Sequence, residues 1–162
     1  MTDLMDRVSS YDLFVNLFPG IIFAVISNKV TSYSFLQSDI IIGFFVYYFI
    51  GVIINGFGSL LIEPALKWVK FLKFENYEDY ICACKEDQKI ELLSEKNNMY
   101  LTLSSLLALL IILKIYESIE NYCHALKEYR TVLLALFLMI MFLFSYRKQT
   151  NYIKKRIKNA KR

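Results

Sequence analysis

The segment IIIGFFVYYFIGVIINGFGSLLI, residues 40–62, runs without one charged side chain. No other feature limits the fold as strongly. A bilayer hydrocarbon core of roughly 30 Å is matched by about 20 mainly apolar residues in a helix. A buried helix of that length in a soluble bundle usually keeps a polar stripe, and residues 40–57 offer only Tyr47, Tyr48 and Asn55 for one. Two further runs share this texture, MYLTLSSLLALLIIL at residues 99–113 and TVLLALFLMIMFLFS at residues 131–145. The first reaches spanning length with residues 114–118 and the second with Arg130 and Tyr146, because long basic stems lie along apolar surface while their heads stay wet. Overall composition hides the segregation: charged residues are 21% of the chain, an ordinary share, against 56% hydrophobic. The expected fold class is all-α, an integral membrane protein.

A weaker apolar segment precedes these, residues 11–28, whose uninterrupted core IIFAVI follows Pro19-Gly20. It reads either as a short spanning helix or as an interfacial helix turning inward at Pro19. The amino-terminal residues are acidic rather than basic and no A-x-A-like site follows the run, so it is expected to be retained. Charge decides the number of crossings. With four crossings, one side gathers Arg7, the lysines Lys67, Lys70, Lys73, Lys85, Lys89 and Lys96, and every basic residue from Arg147 onward. Only Lys29, Lys114, Lys127 and Arg130 remain opposite. The positive-inside rule then puts both termini and the middle loop in the cytoplasm. The expectation is one membrane domain, with helices at 11–28, 40–62, 99–118 and 130–146 paired as two hairpins. A cytoplasmic helical loop at 63–98 and a basic tail at 147–162 complete it.

Asp12, Asn16 and Pro19 fall on roughly one side of the first helix. Polar groups at that depth are costly against lipid and should face protein or water. Alternatively, Asp12 and Ser10 cap the helix at its positive dipole end. On the second helix every fourth residue gives Gly43, Tyr47, Gly51, Asn55, Ser59, Glu63 and Lys67, a slowly winding ridge. Two readings stand open for Gly51, Asn55, Ser59 and Glu63. They form a packing seam, in which small residues admit a neighbouring backbone and Asn and Ser bond across it. Or Asn55, Ser59 and Glu63 face a water-filled, cation-preferring path.

Pro64 suits the first turn of a new helix, and PALKWVKFLKF, residues 64–74, reads as amphipathic. Lys67, Lys70 and Lys73 recur every three residues opposite Leu66, Trp68, Phe71 and Leu72. Such a helix lies on an anionic lipid surface, or its cationic row holds an anionic ligand. Lys154, Lys155 and Arg156 in the tail extend the basic surface. Two short helical pieces are expected in the middle loop, residues 77–84 and 87–96, with Asn97-Asn98 as the stop before the third crossing. A metal site is not expected, because Cys82 and Cys84 would lie across the bilayer from Cys123 and His124. No P-loop, glycine fingerprint, H-E-x-x-H or nucleophile elbow occurs, so neither cofactor nor enzymatic activity is expected.

At GSLLIEPALKWVKFLKF and DQKIELLSEKNNMY the chain resembles small bacterial four-helix membrane proteins encoded beside antiphage defence genes, of which the ion-channel effector of Hailong-type systems is the member class. The resemblance spans roughly residues 11–146. It implies a homo-oligomer, a tetramer above other states, conducting ions across the inner membrane under control of an oligonucleotide made by a partner enzyme. A single four-helix subunit is too thin to enclose an aqueous path, so a pore needs symmetric copies. The competing reading is a non-conducting scaffold that docks a cytoplasmic protein through residues 77–96 and the tail.

Overall fold

The computed structural model describes the backbone of residues 2–160 and the side chains of residues 11–123 and 126–158. Those of Arg7, Ser10 and His124 therefore lie outside the described residues, as do positions 161 and 162. The elements in order are α1 (Thr2–Val30), α2 (Ile40–Phe57), a π-helical turn (Gly58–Ile62), α3 (Glu63–Trp68), α4 (Tyr77–Glu86), α5 (Lys89–Tyr122) and α6 (His124–Ala160). The described chain is all-helical, and four of its segments are long and apolar enough to cross a membrane: Tyr11–Val30, Ile40–Trp68, Lys89–Tyr122 and Leu126–Lys158.

α1, α5 and α6 run past their apolar segments, while α2 ends at Phe57 and hands its run on to the π-helical turn. α1 continues through Pro19 without a break, so the chain does not turn at that proline. Its start at Thr2 also removes the capping role expected of Asp12, which lies well inside the helix and is exposed. α2 begins at Asp39, whose Oδ1 accepts the amides of Ile41 at 2.8 Å and Ile42 at 2.9 Å. That is the standard satisfaction of orphan donors at a helix start. α5 runs unbroken through Asn97 and Asn98. Asn98 is no stop because its Nδ2 donates to the Tyr11 hydroxyl at 3.0 Å, an outlet that favours a helix interior over a turn. The tail is likewise helical, as a continuation of α6.

α1 and α2 make the closest contact. A methyl group at Gly20 would lie 1.8 Å from the Tyr47 carbonyl oxygen, and one at Gly51 would lie 1.7 Å from that of Asn16. Backbones approach this nearly only where a side chain is missing on each side. Phe23, Ile54, Leu106 and Leu110 form the core where α1, α2 and α5 meet. α6 is peripheral. Only 6% of its spanning window is buried, against 39% for α1, and Val132, Leu133, Phe137, Ile140 and Phe144 all face outward.

Candidate polar site at the π-helical turn

The second helix changes register where its sequence turns from small to polar. Across residues 58–62 hydrogen bonds skip one residue further than in an α-helix, ending with the Glu63 amide on the Gly58 carbonyl. The single extra residue rotates everything after it by about 100° relative to a straight helix. The ridge read as continuous is therefore divided. Gly51 and Asn55 face α1, where Asn55 Nδ2 donates to Asn16 Oδ1 at 3.4 Å. Ser59 and Glu63 face α6 instead. Gly58 packs on α5, since a methyl there would stand 2.3 Å from Ser105 Oγ. Ser105 and Thr102, both fully buried, turn their hydroxyls onto the Leu101 and Asn98 carbonyls and so carry no open polar atom into that contact.

Pro64 explains why the turn needs an outside partner. In the i→i+5 register the donor next in line for the Ser59 carbonyl is residue 64, and proline has no N–H. Lys148, from α6, fills the vacancy. Its Nζ donates to the Ser59 carbonyl at 2.8 Å, to Ser59 Oγ at 2.7 Å and to Glu63 Oε2 at 3.3 Å. Three donors are all an ammonium has, and here each is used. Glu63 Oε1 also accepts from Lys67 Nζ at 2.5 Å, so its carboxylate bridges two cations. The result is a compact charged knot on a helix that is otherwise apolar. Chemically it can hold α6 against the π turn and place one carboxylate between two tethered ammonium groups.

Sequence reasoning named Ser59 and Glu63 but not Lys148, which it absorbed into the basic tail. The sequence offered only Pro64, which in an α-helix orphans the Leu60 carbonyl; the shift to Ser59 comes from the π register. The amphipathic helix expected at residues 64–74 does not form. α3 stops at Trp68, so Lys67, Lys70 and Lys73 do not make a helical row. Lys67 is engaged by Glu63 and stacked over the Phe74 ring at 4.1 Å, whereas Lys70 and Lys73 are exposed with no ion pair among the described residues. In the tail, Lys155 Nζ lies 5.9 Å from the centre of the Tyr77 ring, and Lys154 and Arg156 are exposed. The polar face expected on α1 divides as well: Asn16 and Pro19 are buried, Asp12 is not.

A second cluster, at the opposite end of the helices, escaped the sequence reading. Glu120 is 8% exposed and accepts from the Tyr33 hydroxyl, while Arg130 Nη1 stands 3.6 Å from its other oxygen and stacks over the Tyr33 ring. Burial first, and then the Glu120 carboxylate that accepts its hydrogen bond and repels a phenolate, push the Tyr33 phenol up to about 12. Beside it Glu117 accepts from the Ser32 amide at 2.6 Å and from Lys114 at 2.7 Å. Together these contacts strap the 31–39 connection to α5 and α6.

The described chain is thus all-α, with a polar knot and four helices long and apolar enough to cross a membrane. No protein family, no curated protein and no solved structure matches the chain.

Proposed function

We propose that this chain is a homo-oligomeric effector of the bacterial inner membrane, both termini cytoplasmic, that forms a regulated ion-conducting pore opened from the cytoplasmic side. Tetramer is the assembly favoured by the resemblance noted above, which also supplies antiphage defence as the setting and an anionic nucleotide as the trigger. The observation that carries the reading is the Ser59–Glu63–Lys148 knot on the π-helical turn. A charged group inside a membrane segment is expensive and is by default functional. A π turn inside a long helix is a frequent mark of a functional site. The outward apolar surface of α6 leaves room for neighbouring copies as well as lipid. The reading assigns no reaction to the chain.

The competing scaffold reading draws on a specific observation too. Asn55 and Gly51 are committed to α1, and α4 has no buried residue, leaving its surface open to a protein partner. Reconstitution separates the two. Purified full-length protein in liposomes and planar bilayers is expected to conduct, with Glu63→Gln altering cation preference. Absence of current under every ligand condition refutes the pore. Under the scaffold reading Asn55→Leu and Ser59→Ala leave function intact, while reversing the charges of Lys67, Lys70 and Lys73 abolishes partner capture.

A further inference from the structure

From the geometry of residues 66–74 we infer an anionic-phospholipid docking loop, with Trp68 and Phe71 inserted at the bilayer interface and Lys70 and Lys73 on the headgroups. The inference needs only that the apolar helices lie in lipid; it is independent of conduction. Three observations converge on it.

The first is position. Ile40–Trp68 is a continuous span of 29 residues. At 1.5 Å per residue it is about 43 Å long, against roughly 40–45 Å for a bilayer with its headgroup regions. With Asp39 capping one end at one surface, the chain leaves the other end within the headgroup layer.

The second is surface. Trp68 is 86% exposed and Phe71 75%, with Val69 and Phe74 exposed beside them. Neighbouring apolar groups left this open mark an interaction surface. Tryptophan in particular settles where an apolar body meets a wet edge. Lys70 and Lys73 alternate with them, exposed and without an ion pair among the described residues. Their charge complements a lipid phosphate, and Glu75 is the nearest acid in sequence.

The third is backbone. α3 closes in a Schellman turn: the Phe71 amide donates to the Leu66 carbonyl at 2.9 Å and the Lys70 amide to that of Lys67 at 3.0 Å. The residue in the left-handed position is Lys70, at φ 59°. Glycine normally holds that place, because a β-carbon there is penalised. A lysine kept at a strained position is explained when its side chain is needed. Lys67 is already held by Glu63 and Phe74, while Lys70 stays exposed at the turn.

The chain has one tryptophan, so its fluorescence reports this loop alone. Full-length protein is reconstituted in mixed phosphatidylcholine and phosphatidylglycerol vesicles in which bromine labels the acyl chains of either lipid. Trp68 emission should be blue-shifted and quenched more strongly by brominated phosphatidylglycerol than by the brominated neutral lipid. Each lysine charge removed should lower that preference about fivefold. Lys70→Gly is the decisive variant: it relieves the turn, so it preserves or raises thermal stability, and it still lowers the anionic preference about fivefold. Soluble inorganic phosphate should not compete. Equal quenching by both lipids in the wild type overturns the inference, as does iodide-accessible, unshifted emission. A Lys70→Gly variant that retains full preference overturns the role of Lys70.

Discussion

Replacing Lys148 by methionine keeps most of the apolar stem and removes the ammonium that closes the π-helical turn. Two losses follow. The Ser59 carbonyl, denied a helical donor by Pro64, loses its charged partner at 2.8 Å, a bond of the kind worth about 1.5–3 kcal/mol. Glu63 loses a counter-charge at 3.3 Å, but both side chains touch solvent, 28% for Lys148 and 17% for Glu63, and Lys67 remains at 2.5 Å. That second loss is worth no more than about 1 kcal/mol. Lys148→Met should therefore destabilise the fold by about 1.5–4 kcal/mol. The reasoning has a sharper consequence. Pro64→Ala restores an N–H to the donor position that the Ser59 carbonyl lacks, so the Lys148→Met penalty should shrink in that background by about 1–2 kcal/mol, inside the range for neighbouring residues. Equilibrium unfolding in mixed micelles, followed by circular dichroism across the four-member cycle, measures this coupling directly. If Lys148→Met costs the same in the native and Pro64→Ala backgrounds to within about 0.5 kcal/mol, the orphan carbonyl is not what Lys148 serves.

Gly51→Ala places a methyl 1.7 Å from the Asn16 carbonyl and must separate α1 from α2, whereas the Gly43 position offers 3.2 Å to the edge of a movable Tyr47 ring. The first should cost about 2 kcal/mol or more and the second nothing measurable in the same unfolding assay. Tyr33 titrates higher in the folded chain than its unfolded value of about 10, so its contribution is complete below that pH and lost as pH rises toward about 12. Melting temperature in detergent should fall over that window, and Tyr33→Phe should flatten the fall.

The four spans were legible because length and absence of charge suffice to define them, as the 40–62 run shows most clearly. Their ends were not. Nothing between Trp68 and Asn76 carries the glycine or proline that marks a helix stop, and a Schellman turn with lysine in the glycine place defeats the usual signal. Asn97-Asn98 looked like punctuation because the Tyr11 hydroxyl that accommodates Asn98 comes from a distant helix. The division of the ridge on α2 depends on one inserted residue in the helix, which Pro64 hints at and only Lys148 from α6 completes. Glu120, Tyr33 and Arg130 come from three separate segments, with no spacing rule to join them.

The central claim is that α5 crosses a bilayer. It lies between Cys82 and Cys123, both exposed free thiols. Single-cysteine variants retaining one or the other can be labelled with a membrane-impermeant maleimide in sealed vesicles of known orientation. The account predicts that Cys82 and Cys123 label from opposite sides. Labelling of both from the same side of intact vesicles would contradict it.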